Sequence, residues 1–115
     1  MNKRTMLATL VISAVAANSF AADNNFIGGT DNVVTNGAKS IGVVGYQNTV
    51  GANNAVAFGE NNIANGTNSF AGGNNSKAMG RNSFAYGSHA EALTEYTVAI
   101  GSQARTTAYD TIAIG

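Results

Sequence analysis

His89 and the carboxylates that follow it are the residues of this chain whose types could do chemistry. Glu91 lies two residues after His89, and Glu95 lies four residues after Glu91. A histidine beside a carboxylate can serve as a general acid–base pair, and with more His or Cys residues it can bind a metal ion. The chain has one histidine and no cysteine, so the sequence offers neither a triad nor a metal shell. We therefore expect no catalytic residue, no metal and no cofactor, with all three side chains solvated.

The glycines follow a spacing that indicates structure rather than phosphate binding. From Gly45 to Gly115 every fourteenth residue is glycine, and Gly66 and Gly80 fall halfway between members of that series. A phosphate-binding loop would need the pattern G-x-x-x-x-G-K-[ST], which does not occur. A fixed internal period of this kind is typical of proteins that stack one small structural unit on itself.

Each period holds a segment in which small and large residues alternate, for example Ser83-Phe-Ala-Tyr-Gly87. Such alternation indicates a β-strand, and the half-period glycines divide each period into two halves of strand and turn. One period therefore predicts one flattened coil, and the whole predicts an all-β parallel solenoid. The chain has no proline, which fits because proline would interrupt the ladder between coils.

The alternation also predicts which side chains point into the coil. The small residues, such as Ser69, Ala71 and Gly73, are expected inside, where they leave room only for a tight seam between two strands. The larger residues then form a continuous apolar stripe on one outer face, and such a face on an exported protein is normally an interface. The predicted interface between identical chains consists of Val56, Phe58, Phe70, Phe84, Tyr86, Val98, Ile100, Ile112 and Ile114.

The second strand of each coil has a more polar outer face. The exposed candidates for ligand binding are Lys77, Arg81, Glu91 and Arg105. Asn48 and Asn62 share one inward position, and we expect their amides to form a short hydrogen-bonded ladder.

Residues 1–21 read as a secretory signal peptide. Lys3 and Arg4 supply the positive start, Met6 to Ala17 form an apolar run too short to span a membrane, and Ser19-Phe-Ala21 offers a cleavage site. Cleavage after Ala21 removes those two of the six basic residues and leaves four against six acidic ones, a formal charge of −2. That balance argues against a nucleic-acid partner or an anionic membrane.

The two ends of the repeat region differ. Residues 22–44 are predicted to form irregular capping coils, because Gly28 and Gly42 are fourteen apart but Gly45 follows after only three residues, as if a coil carried an insertion. Residues 45–115 are the regular repeats. They run in phase to Gly115 with no heptad stalk and no barrel strands, so the sequence predicts an amino-terminal fragment of a longer protein.

At Asn82-Ser-Phe-Ala-Tyr-Gly87 and Tyr96-Thr-Val-Ala-Ile-Gly101, followed by Ser102-Gln-Ala104, the chain resembles the head repeats of YadA-like trimeric autotransporter adhesins. Their motif is close to N-S-V-A-I-G-x-x-S-x-A. The resemblance implies a left-handed parallel β-roll, a homotrimer, and a place on the surface of a Gram-negative bacterium. It also implies binding to host matrix or host cells without catalysis, and a membrane anchor that this chain lacks. Gly72 departs from the apolar pattern, so the interface should be thinner there unless Phe70 and Phe84 fill the space.

Three other interpretations remain at this point. An acyltransferase on a left-handed β-helix would need a six-residue period and a catalytic histidine, whereas this chain counts seven and fourteen. An ice-binding repeat would need threonines in one outward row, but Thr97 and Thr111 share an inward position with Ser83. An unanchored exported remnant, or a fibre-forming extracellular repeat protein, is the main alternative to the adhesive head.

Overall fold

The structure is a computed structural model that describes residues 11–12, 19–21, 25–35 and 37–115. It is an all-β parallel solenoid of about six coils, with fourteen residues in each regular coil. Each coil contributes one longer strand to one sheet and one shorter strand to a second sheet that packs against it. The predicted fold and its fourteen-residue coil are therefore confirmed.

The longer strands form what we term the long-strand sheet, in which coils follow one another in chain order. Its members are β2 (Ser19–Ala21), β3 (Asn25–Thr30), β5 (Gly42–Tyr46), β7 (Val56–Glu60), β9 (Phe70–Asn74), β11 (Phe84–Ser88), β13 (Val98–Ile100) and β15 (Ile112–Ile114). The short-strand sheet consists of β1 (Val11–Ile12), β4 (Asn32–Val34), β6 (Thr49–Val50), β8 (Ile63–Ala64), β10 (Lys77–Ala78), β12 (Glu91–Ala92) and β14 (Arg105–Thr106). All neighbours pair in parallel except β1 with β4 and β2 with β3, which are antiparallel.

The interior is a seam of alanines between the two sheets. Ala57, Ala71, Ala85 and Ala99 line it from the long-strand sheet, and none has any exposed surface. Ala64, Ala78 and Ala92 face them from the short-strand sheet and are equally buried. The predicted inward direction of these small residues is confirmed. The same rows hold the buried Val43 and Val50 in the amino-terminal coils and Thr106 after Ala92, so the seam is narrow at the alanines and accepts somewhat larger side chains elsewhere.

A ladder of asparagine amides continues the interior toward the amino-terminal coils. Asn62 Nδ2 lies 3.1 Å from Asn48 Oδ1, and Asn48 Nδ2 lies 3.1 Å from Asn32 Oδ1. The Oδ1 atom of Asn62 accepts from the backbone N–H of Ser76 at 2.8 Å. The predicted ladder of Asn48 and Asn62 is therefore confirmed, and Asn32 and Ser76 extend it by one coil at each end.

Corners between strands depend on residues in the left-handed backbone region. From Ser40 to Asp110 every seventh residue has a φ between 56° and 63°. Asparagine fills five of these eleven positions, Asn54, Asn61, Asn68, Asn75 and Asn82, since it tolerates this conformation better than most residues. The corners thus account for five of the sixteen asparagines, and the sequence interpretation did not identify these corners.

The first coil carries an insertion, but its register differs from the predicted one. Phe26 pairs with Gly42 and Gly28 with Val44, so this coil has sixteen residues, and Gly29 rather than Gly28 is the partner of Gly45. The two extra residues lie between β4 and β5, where buried Asn25 donates to the Ala38 carbonyl and accepts from the Ile41 N–H. The assignment of residues 22–44 as a separate capping unit stays a prediction.

Of the predicted signal peptide, the structure describes only β1 and β2, and the rest of segment 1–21 lies outside the described residues. Within the described part, no helix is long and apolar enough to cross a membrane.

Candidate functional site

All nine residues predicted for the interface point outward from the long-strand sheet, with the buried alanines between them pointing inward. They form two parallel rows that we call the apolar face. One row is Val56, Phe70, Phe84, Val98 and Ile112, and the other is Phe58, Tyr86, Ile100 and Ile114 with Gly72 in the remaining position. Phe58, Tyr86, Ile112 and Ile114 are at least half exposed. The single chain leaves this face uncovered, and its use as an interface stays a prediction.

The middle of the apolar face is a cluster of aromatic rings. Phe70 and Phe84 occupy the same position in successive coils, and their rings stack with centroids 4.7 Å apart and planes 9° from parallel. Stacking at the coil spacing follows directly from the parallel register, which places identical positions one above the other. This part of the face is therefore organised within the chain itself.

Gly72 is buried beneath that cluster. A Cβ atom at this position would lie 2.8 Å from Phe70 Cε1 and 2.9 Å from Tyr86 Cδ2. The rings that fill the gap are therefore Phe70 and Tyr86, not Phe70 and Phe84 as the sequence suggested. These two rings cover the backbone at the position where this coil lacks a side chain.

Three of the four exposed candidates form one row of charges on the outside of the short-strand sheet. The Glu91 carboxylate lies between Lys77 Nζ at 3.7 Å and Arg105 Nε at 3.2 Å. These residues come together because they occupy the same position in three successive coils. A partner that binds here must compete with these ion pairs.

Arg81, the fourth candidate, lies at a corner of the coil and not in that row. Its guanidinium is 3.3 Å from the Glu95 carboxylate and donates to the Tyr96 hydroxyl at 2.9 Å. It also lies 5.5 Å from the centroid of the Tyr96 ring, within cation–π range. Tyr96 was not among the sequence candidates, although its corner position in the seven-residue series could have indicated exposure.

A shallow groove runs along the corner beside the charged row. Its lining consists of Asn75, Lys77, His89, Glu91 and Gln103. Asn75, His89 and Gln103 are the corner residues of successive coils, so their polar side chains recur once per coil along the groove. The groove offers hydrogen-bond donors, acceptors and charge to a ligand. The sequence did not predict it, because its lining combines the row of corner residues with the charged row.

His89 occupies one of these left-handed corners, with a φ of 61°, and its Nδ1 lies 3.0 Å from the Ser88 hydroxyl. It is exposed, as predicted. Among the described residues, no three His, Cys, Asp or Glu side chains come close enough together to hold a metal ion.

Comparison with known families gives a match over the regular coils. The model for the YadA head domain repeat matches residues 51–76, 64–90 and 95–115, which together exceed half of the chain. Neither a curated protein nor a solved structure matches the chain significantly. The matched residues carry the apolar face and every strand from β7 to β15 except β12, so Glu91 of the charged row lies between two matched ranges.

Proposed function

Because the chain belongs to the family of YadA head domain repeats, we propose that it is the adhesive head of a trimeric autotransporter, in which three copies pack along their apolar faces. The family is one of adhesin heads on exported surface proteins. The proposal includes a homotrimer, a left-handed roll and a signal peptide that exports the chain. It also includes a carboxyl-terminal membrane anchor that is separate from the head.

The apolar face is the observation that carries the trimer. Its ten positions include no charged residue. Each of five successive strands contributes two of them, so the apolar positions repeat at the spacing of the coils. A second solenoid with the same coil spacing presents the same periodicity, so identical chains match along their whole length. Three chains around a closed axis would each cover a neighbour's rows and remove the exposed aromatic and aliphatic side chains from water.

Ligand binding is assigned to the faces that such a trimer leaves in solvent. Polar groups recur once per coil along the charged row of Lys77, Glu91 and Arg105 and along the adjoining groove. The corner at Arg81 adds a further charged and aromatic surface. Three copies of such a repeated surface would bind an extended matrix or cell-surface ligand by avidity rather than through one deep pocket. We propose no catalysis, because His89 serves as a corner residue and its nearest partner is the Ser88 hydroxyl.

The oligomeric state tests the proposal. We expect the chain without residues 1–21 to sediment as a trimer, and Phe84→Asp to sediment as a monomer because it places a charge in the apolar face. Thr107→Asp is the matched control, since Thr107 is exposed after β14 on the other side of the solenoid, and this variant should remain trimeric. A monomeric wild-type chain, or a trimer that survives Phe84→Asp, would contradict the proposal.

Adhesion is tested separately, with bacteria that display the head on a carrier stalk and anchor. We expect them to bind an immobilised extracellular-matrix preparation, and the double charge reversal Lys77→Glu with Arg105→Glu to reduce that binding. The same reversal should leave the sedimenting trimer unchanged. Equal binding by cells that display no head would contradict the adhesive role.

A further inference from the structure

We propose that Asn65 is an acceptor site for an N-linked sugar. The acceptor pattern Asn-x-Ser/Thr, with any residue but proline in the middle, occurs at Asn65-Gly-Thr67 and at Asn74-Asn-Ser76. In exported proteins this pattern identifies a modified asparagine only when it lies on an accessible surface segment. The structure distinguishes the two copies.

Asn65 satisfies the requirement for access. It follows β8 directly and its side chain is exposed, as is that of Thr67 in the turn that comes next. The backbone N–H of Asn65 donates to the Ala78 carbonyl at 2.9 Å, which holds the segment at the edge of the corner. Within the described residues no hydrogen bond engages the side-chain nitrogen of Asn65, while the side-chain oxygen packs against Gly51 of the preceding coil.

Asn74 fails the same requirement. Its Nδ2 donates to Glu60 Oε1 at 3.1 Å, and its Oδ1 accepts from Asn75 at 2.7 Å. Ser76 has no exposed surface, and its hydroxyl donates to the Gly87 carbonyl at 2.6 Å. An enzyme that binds both groups would have to displace Glu60 from the Asn74 amide and open the coil to reach the Ser76 hydroxyl.

The surroundings of Asn65 suit a sugar. In successive coils the same outward position is held by Met79, Leu93 and Thr107, and Met79 is 39% exposed. A sugar on Asn65 would cover part of this second, smaller apolar row in solvent. It would lie outside the short-strand sheet, on the side opposite the apolar face, and so would leave the proposed trimer contact free.

The transfer requires a sugar carried on a diphosphate, either nucleotide-linked or lipid-linked, and a transferase. Asn65 Nδ2 forms a bond to the anomeric carbon of the sugar, while the bond from that carbon to the phosphate oxygen breaks. The diphosphate leaves with the bonding electron pair, and the amide proton passes to a base of the transferase. No residue of this chain other than the acceptor changes its bonding.

Mass spectrometry of the protein recovered from the organism that encodes it tests the site. Trypsin releases residues 40–77 as one peptide, because Lys39 and Lys77 are consecutive basic residues, and this peptide holds both patterns. Electron-transfer fragmentation, which keeps sugars attached, then assigns the modified residue. We expect added sugar mass on Asn65 and none on Asn74. A few identical hexoses would indicate a nucleotide-linked donor, and a mixed oligosaccharide would indicate a lipid-linked one.

Four variants made in the same organism complete the test. Asn65→Gln and Thr67→Ala should lose the added mass entirely, whereas Thr67→Ser and Asn74→Gln should keep it. Thr67→Ser distinguishes recognition of the hydroxyl from a general effect of changing the turn. An unmodified peptide from the wild-type protein, or sugar on Asn74, overturns the proposal.

Discussion

The side-chain amide of Asn62 lies within hydrogen-bond distance of the Asn48 side chain, with Asn62 Nδ2 3.1 Å from Asn48 Oδ1 and one coil between them in sequence. The same nitrogen is 2.9 Å from the Phe58 and Gly73 carbonyls. One buried side chain thus connects three successive coils of a chain that has no disulfide. Interior amides contribute to holding the coils in register, because each of their polar atoms has a partner only when the coils are aligned.

Asn62→Ala should therefore lower the free energy of unfolding by about 3 kcal/mol, since it leaves the buried Ser76 N–H and two carbonyls without a side-chain partner. Urea denaturation followed by circular dichroism measures the change. Asn74→Ala removes an amide whose hydrogen bond to Glu60 is exposed, and it should cost less than about 1 kcal/mol. An equal decrease in the free energy of unfolding in the two variants would show that the buried amide ladder stabilises the fold no more than an exposed hydrogen bond does.

Gly87→Ala should prevent stable folding or lower the free energy of unfolding by at least about 3 kcal/mol. Gly87 has a φ of 145°, and a Cβ atom there would collide with the Gly101 carbonyl oxygen in the next coil. Gly42→Ala is the matched control, because Gly42 lacks a positive φ and a Cβ there would meet Val56 at an ordinary 3.7 Å. Thermal unfolding of both variants decides the matter, and a stable Gly87→Ala would show that the stacked glycine backbones can move apart.

Ala85→Leu should abolish folding of the coil that contains it, whereas Arg105→Ala should change the unfolding free energy by less than about 1 kcal/mol. Ala85 has no exposed surface and faces the seam between the sheets. The Arg105 side chain is 60% exposed, so solvent screens its ion pair with Glu91. Soluble yield and circular dichroism of the two variants provide the comparison, and similar stability would refute the assignment of inward and outward positions.

Ala90→Ser should raise the free energy of unfolding by about 0.5–1 kcal/mol. Ala90 follows Ser76 in the interior row of the amide ladder, and the Ser76 hydroxyl donates to the carbonyl eleven residues later. A serine at position 90 has the same relation to the Gly101 carbonyl, and the preceding coil shows that a hydroxyl fits in this row. The midpoint of urea unfolding should rise. A fall would mean that the seam narrows toward the carboxyl-terminal coils.

Much of the fold was predictable because a solenoid repeats its local geometry. The glycine series gave the length of a coil, and the alternation around Ala71 and Ala85 gave the direction of each side chain. Asn48 and Asn62 were predictable as a ladder for the same reason, since residues one coil apart occupy equivalent places.

Features that join different rows were not predictable in this way. Gly28 and Gly42 are fourteen residues apart, which is the length of a regular coil. The structure nevertheless pairs Gly29 with Gly45, because the insertion before β5 makes this coil sixteen residues long. Periodicity also could not show that the Phe70 and Tyr86 rings cover Gly72, since that contact depends on how two aromatic side chains turn.

The sequence by itself determined the repeat, the seam and the two outer faces, because strand alternation and coil length are properties of local spacing along the chain. Only the tertiary structure decided which side chains become partners. It paired Glu91 with Lys77 and Arg105, placed His89 at a corner, and left Asn65 accessible while it enclosed Ser76. These outcomes depend on distances between coils and on side-chain conformation, and a one-dimensional pattern contains neither.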